Sequence, residues 1–443
     1  MLSKPKNSGQ MSFFSSFEDM LNTKHPIYLL ANTINWKTFD DAFSKHYTSN
    51  FGRPAKPIRL MVSLLIIKQL RDVSDENLVI EWSENVYYQY LSGEQHFVSG
   101  VPCSSTELVE FRKRIGKEGA ELIFKESIRV NGKDSDDDTL SADTTIQEKN
   151  ITYPTDTKLH KKIITKCVGI ARKEGIVLKQ TYNKNLKRLN IELRLQHNKN
   201  GYKLARKARK RIKTIAGVLV RELVRRLDDQ QLKKHQAQLD IYTKVLSQKK
   251  SDSNKIYSLH EPHTKCYTKG KEHKKFEFGS KASILVTQRT GVIVGAVNFN
   301  ENVHDSRTLP KVIEQYEQLH QKKPKEIIAD RGYRGPRQIN EVAILTPTSP
   351  VNPISEERRK KHSRRAAIEP VFSHLKFDHR LWRNFLKGEY GDIFNLLLGA
   401  SAYNFKRVMN LWCTEAIRRW EFIYLILVNI SWKKYALNPK TTF

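Results

Sequence analysis

Three acidic side chains stand where a carboxylate needs a reason to be: Asp143 inside an alternating, strand-like stretch, Asp330 at the end of an apolar one, and Glu369 on a helix-like one. Carboxylates drawn together from such places could hold two divalent ions about 3.5–4 Å apart, the arrangement that activates a water or a 3′-hydroxyl and stabilises the leaving oxygen in phosphodiester displacement. Magnesium suits this, because it prefers oxygen ligands and shares them with substrate phosphates, and manganese takes the same ligands. Glu369 also has cationic company. His362, Arg365, Glu369 and Lys376 recur at helical spacing, beside an apolar face of Ile368, Val371, Phe372 and Leu375. Arg365 and Lys376 would there grip a phosphate next to the carboxylate, and His362 could reach DNA as an imidazole that titrates near neutral pH. Each position has a plain alternative when taken alone: a solvated helix edge for the stripe, an edge strand for Asp143, a turn for Asp330. Pro370 cannot donate to a helical ladder, so the helix is expected to start near Ala366 or to bend there, with Glu369 close to its N-terminal end.

The elements that must position these residues are readable in outline. Over residues 139–146, Leu140, Ala142, Thr144 and Ile146 alternate with Ser141, Asp143 and Thr145, which predicts a strand. Residues 276–287 and 292–299 predict a hairpin turning at Arg289-Thr290-Gly291, and 255–259 and 343–346 two short strands. Residues 305–320 have helical spacing, and 326–328 form a buried-type strand leading to Asp330, whose following glycines permit a sharp turn at a strand's carboxyl end, where sites form in α/β sheets. Ahead of all these, residues 36–123 read as helices, with a core helix at 59–68 and capping serines at Ser74 and at Ser104 or Ser105. The last of them ends in Arg112-Lys113-Arg114; a helix-turn-helix reader of DNA, contacting it through Arg112, and an ordinary bundle both fit. Residues 158–250 return to helix with dense positive charge, Arg206 and Arg209 among it, and an apolar stripe of Ile212, Ile215, Leu219, Leu223 and Leu227. A helical insertion with one buried face and one basic face follows, suited to phosphate-backbone contact.

Bulk properties narrow the class. The net charge of +31, from 78 Lys and Arg against 47 Asp and Glu, predicts attraction to a polyanion, with nucleic acid the first candidate. The longest apolar run, 422–430, is far short of the ~20 residues a membrane-spanning helix needs. Four dispersed cysteines and no charged-then-apolar leader point to a cytosolic protein with reduced thiols, and no GxxxxGK[ST] loop offers nucleotide hydrolysis. Asp134, Asp136 and Asp138 mimic a calcium loop but lack its glycine and closing glutamate. His260, His263, Cys266 and His273 match no zinc-finger spacing.

Together these motifs resemble the DDE transposases of bacterial insertion sequences, in the insertion-sequence-five-like group. That family's Tyr, Arg, Glu and Lys signature reads here His362-x2-Arg365-x3-Glu369-x6-Lys376, with His in place of Tyr. Ala142-Asp143-Thr144-Thr145, Tyr153-Pro154-Thr155-Asp156 and Ala329-Asp330-Arg331-Gly332-Tyr333-Arg334-Gly335 are similar to its first and second Asp stretches. Ser258-Leu259-His260-Glu261-Pro262, Gly270-Lys271 and Phe278-Gly279 are similar to its middle strands, and Arg53-Pro54 with Arg59-Leu60-Met61 to its helical leader. The resemblance implies an α/β, RNase H-like mixed-sheet core, divided as 131–157 and 251–412 around the basic insertion 158–250, with an N-terminal helical DNA-binding domain at 1–130 and a tail at 413–443. It implies Asp143, Asp330 and Glu369 as ligands of two Mg2+ ions, with Arg331 and Lys271 joining the DNA contacts. Terminal inverted repeats and target DNA would be the partners, met by a homodimer in a bacterial cytoplasm at the nucleoid, with no membrane and no nucleotide cofactor. Two rivals remain: an RNase H-like endonuclease that cuts without joining, and a non-catalytic DNA-binding derivative.

Overall fold

A computed structural model describes residues 16–48, 54–249, 251–268, 275–335, 337–347 and 355–436, the last of these by backbone alone from 415. Seven strands form one sheet: β1 (Thr139–Glu148), β2 (Lys265–Thr268), β3 (Phe276–Thr287), β4 (Ile293–Phe299), β5 (Glu326–Ile328), β6 (Gln338–Ile339) and β7 (Val342–Leu345). β4, β3 and β1 are antiparallel neighbours, and β5 and β7 continue from β1 in parallel. This mixed order, three antiparallel strands followed by two parallel ones, is that of an RNase H-like core, as the family resemblance implies. The β3–β4 hairpin turns at Gly291, whose φ of +77° is left-handed and favours glycine.

Residues 255–259 are not the expected strand. At Ile256 a side chain takes the place of a neighbouring strand: the Ile256 N–H donates to Gln248 Oε1 at 3.1 Å, and the Ile256 carbonyl accepts from Gln248 Nε2 at 3.4 Å.

The helices fall into two groups by what they bury. Ile58–Arg71 is buried along nearly its whole length, so it is a central helix with little amphipathic character. Ser105–Val130 starts at the expected cap, where Ser104 and Glu107 form a capping box, and kinks at Gly116. Both pack against the long helix Gly388–Ala436, which also lies on β4, so the N-terminal helices and the sheet share one buried core. The insertion has a core of its own. In it Ile212, Ile215, Leu219 and Leu223, the expected stripe, face Ile163, Cys167, Leu239 and Val245 from neighbouring helices.

The segment after β7 holds two short helices, Glu356–Arg365 and Ile368–Phe377. Between them the hydrogen bonds tighten: Ala366 N–H to Ser363, Ala367 N–H to Arg364 and Glu369 N–H to Ala366 all span three residues instead of four. Pro370 is the cause, since it has no N–H to give the Ala366 carbonyl and its ring crowds that oxygen. Ile368, Val371 and Leu375 are buried, packing this helix against β1 and Gly388–Ala436. Each such aliphatic side chain contributes roughly 1.5–3 kcal/mol.

A buried ion cluster then ties the following loop to the end of β1. Lys149 Nζ lies 2.7 Å from Asp392 and 3.4 Å from Glu261, and it donates to the carbonyls of Leu386 and Gly388. Asn384 donates its N–H to Glu148 O at 2.6 Å and its side-chain amide to Asp392 at 2.7 Å. The carboxylates near the start of β1 have other partners: Asp134, Asp136 and Asp138 pair separately with Arg407, Lys322 and Lys325.

Candidate active site

β1 is a central strand, which excludes an edge position for Asp143. Between its two end residues both its faces are buried except at Asp143 and Thr144, in the middle. β3 runs beside it throughout, with Asp143 opposite Ile284. On the other side β5 accompanies it only from Thr139 to Ser141, where Ser141 lies opposite Ile328, the last residue of β5. Asp143 comes two residues further along β1 and Asp330 two residues beyond the end of β5, near enough for the Asp330 charge to act on Asp143. The parting of the strands there leaves Asp143 21% exposed.

Asp330 caps a short 3-10 turn, Arg331–Tyr333, accepting from the Gly332 N–H at 2.8 Å. A Cβ at Gly332 would stand 3.0 Å from Asp330 Oδ1 and 3.5 Å from Oδ2 of a further carboxylate, Asp305. Asp305 belongs to the turn after β4, and its Oδ1 accepts from Thr144 Oγ1 at 2.8 Å and from Lys281 Nζ at 2.7 Å. In the sequence Asp305 stands as the first residue of a stretch with helical spacing, where an acid is ordinary. No spacing singles it out.

The electrostatics follow from this crowding. Burial lifts the Asp143 carboxyl to about 6, and the charges of Asp330 and Asp305 add to that; the Thr144 N–H and Arg365 pull against it. Arg365 Nη1 stands 3.5 Å from Asp143 Oδ2, reaching in from the end of Glu356–Arg365. The Tyr333 phenol is pushed well above its ordinary range by burial and by the same three carboxylates.

Glu369 is exposed on the first turn of Ile368–Phe377, near the N-terminal end as expected, and is not among the charges acting most on Asp143. Among the described residues, no group of three His, Cys, Asp or Glu side chains is close enough to hold a metal ion. The structure thus brings together Asp143, Asp330 and Arg365, adds Asp305, and leaves Glu369 apart.

The remaining candidates divide. Lys376 is half-buried two turns beyond Glu369, and Arg331 is exposed next to Asp330. His362 is held below its ordinary pKa by burial and by Arg358 and Arg365, and neither ring nitrogen has a hydrogen-bond partner among the described residues. Lys271 lies outside the described residues. Arg206 is exposed on the insertion, and Arg209 donates to Gln196 at 2.8 Å. Arg112 is the correction. It is 7% exposed and makes a two-pronged pair with Asp75, at 3.0 and 2.6 Å, beside Lys68, so it is a core residue and does not face DNA.

A family model described as Transposase DDE domain matches residues 223–405, the segment carrying Asp330, Arg365, Glu369 and Lys376, and one described as Transposase domain (DUF772) matches residues 15–114. The chain belongs to the DDE transposases. The family consists of divalent-metal-dependent enzymes that act on DNA. A curated relative, the uncharacterized protein ORF8 in the nfe locus of Rhizobium meliloti, is 34% identical over 197 residues, which cover 43% of this chain and 95% of that protein. No solved structure matches the chain. Asp143 lies between the two matched segments, so its place beside Asp330 rests on the sheet register. The residues fit the family's metal: the donors are all oxygen, and like charges crowd where a dication would neutralise them. No described helix is long and apolar enough to cross a membrane.

Proposed function

We propose that this chain is a transposase of the insertion-sequence-five-like group that cuts the terminal inverted repeats of its own element and transfers the freed 3′ ends into target DNA. The observation that carries this reading is the β1–β5 register, which sets Asp143 beside Asp330 where the strands part. Asp143 and Asp330 would hold the metal, magnesium or manganese, and Glu369, exposed apart from them, would complete the ligand set by moving in toward it. Such an ion supplies Lewis acidity toward the scissile phosphate and lowers the pKa of bound water. Arg365, already drawn to the site by Asp143, binds the phosphate when the carboxylate's charge is taken up elsewhere, with Lys376, Arg331, His362 and Lys271 along the flanking strand. The exposed cations around Arg206 and Arg209 bind the DNA backbone beyond it. Joining exchanges one phosphodiester for another, so no ATP site is needed. The protein would work as a dimer on two ends, in the bacterial cytoplasm at the nucleoid.

Incubating the protein with end-bearing DNA, a divalent metal and a plasmid target tests the reading: joined products are expected, and cutting without joining would make it a nuclease. Glu369→Gln should abolish both steps and leave end binding within about twofold, because a ligand is lost but the phosphate contacts stay. Retained strand transfer in that variant would remove Glu369 from the site. End affinity should fall about 10³-fold or more between 50 and 200 mM salt if six or more phosphates are contacted. A flat titration would remove the basic insertion from the interface.

A further inference from the structure

The short segment joining Ile368–Phe377 to the last helix carries aromatic rings where a soluble protein has reason to hide them. Phe377 is 63% exposed, Trp382 46%, Phe385 54% and Tyr390 70%. Phe377 and Trp382 stack on each other, with centroids 5.5 Å apart and planes at 21°. Isolated surface aromatics are common, but four along one short stretch mark an interaction surface.

The segment is also rigid. Leu381 and Trp382 donate their N–H groups to the carbonyls of Leu375 and Lys376, His379 is buried against Gln69 O, and Asn384 is fixed to the end of β1. The rings are therefore presented by a framework that is already ordered, and little conformational freedom is lost when something stacks on them.

Its charge says what that something is. Arg383 and Lys387, both exposed, alternate with the rings and make no ion pair among the described residues, and Arg380 covers the Phe385 ring at 5.3 Å. A second copy of a chain carrying +31 would bring more positive charge to this face, whereas a polyanion with flat apolar faces matches both features. Duplex DNA keeps its base faces covered by stacking; unpaired nucleotides do not. We infer that Phe377, Trp382 and Phe385, with Arg383 and Lys387, form a stacking platform for unpaired nucleotides of single-stranded DNA. Phe377 lies eight residues, about 12 Å along the helix axis, beyond Glu369, and Trp382 and Phe385 follow in the loop that leaves this helix.

The inference rests on the reading that the chain handles DNA ends, and its test is binding in EDTA, where loss of catalysis has no bearing. A labelled oligothymidine of about a dozen nucleotides and a duplex of equal length are titrated against the full chain. Single-strand binding should quench tryptophan fluorescence. Phe377→Ala with Trp382→Ala should weaken it about tenfold or more and change duplex affinity less than about twofold, while Trp382→Phe, which keeps a ring, stays within about threefold of wild type. Arg383→Ser with Lys387→Ser leaves the aromatic rings in place and should weaken single-strand binding with a shallower salt dependence. Unchanged single-strand affinity in both double variants, or equal losses on single strand and duplex, would overturn the platform. So would sedimentation showing a wild-type dimer that Phe377→Ala with Trp382→Ala dissociates, since the rings would then be a contact between copies.

Discussion

Asp143→Asn should raise the melting temperature of the metal-free protein at pH 7.5 while lowering end cleavage by roughly 10³-fold. The two effects have one origin. In the folded chain the Asp143 carboxyl titrates at about 6, against an ordinary value of 3.8, because burial and the Asp330 and Asp305 carboxylates oppose its charge. A carboxyl whose folded pKa is raised binds more protons in the native state than in the unfolded one between about pH 4 and 6, so stability falls as pH rises through that window. Above pH 6 the whole penalty is present, of order 1–3 kcal/mol at ~1.4 kcal/mol per pH unit, and asparagine does not incur it. The gain should be a few degrees at pH 7.5 and smaller at pH 5. Added Mg2+ should then stabilise the wild type and not the variant, because binding to the native state alone raises stability by mass action. The catalytic loss corresponds to several kcal/mol of charge stabilisation removed with the ligand. A metal-free variant that melts below the wild type at pH 7.5 would refute the crowding of charge at this site.

The second large effect is structural. Asp75→Ala should destabilise the chain by about 3–5 kcal/mol, read as a lower urea midpoint, because it leaves two cations buried without their anion. Lys68 and Arg112 have side chains only 8% exposed, and both contact Asp75, at 2.6 Å each. The strain is already visible with the anion present: burial, with Arg112 adding to it, pulls the Lys68 amine down to about 8, even though Asp75 opposes the shift. The three residues join the end of Ile58–Arg71 and the start of Asp75–Glu84 to the first half of Ser105–Val130, so the loss falls on the packing of three helices at once. A change below about 1 kcal/mol would mean that water reaches these ions.

Arg112 shows how sequence can mislead when the right signal is present. The run Arg112-Lys113-Arg114 looks like a basic surface, and Lys113 is indeed exposed, paired with Glu110. Yet Leu108, Arg112 and Ile115 fall on one helical stripe, and that stripe is the buried one. Local patterns were otherwise informative: the alternation of β1, the hairpin, the Ser104 cap, the bend forced by Pro370 and the apolar face of the insertion each depend on residues within a few positions of one another. What could not be read depended on distant partners. Asp305 joins the site because Thr144 and Lys281 hold it there, and in the stretch 255–259, expected as a strand, Gln248 takes the place of a neighbouring strand at Ile256. Glu369, Arg365 and Lys376 read as one stripe in sequence, but the helix is interrupted by the tightened turns at 366–369, and Arg365 stands against Asp143 while Glu369 is exposed.

The separation of β1 from β3 bears on how the chain is made. They are neighbours in the sheet, but about 130 residues of insertion and loop lie between them. At the ~5–20 residues per second of ribosomal synthesis, β1 exists for on the order of ten seconds before its partner does. The helices of the insertion have a core of their own and mostly local contacts, so they can collapse in that interval and draw the two ends together. Until then β1 is an unpaired strand with apolar residues on both sides of its middle, the kind of segment that recruits other chains. The one charged side chain among residues 139–147 is Asp143. The carboxylate that crowds the finished site is, during synthesis, the charge that keeps a waiting strand from sticking.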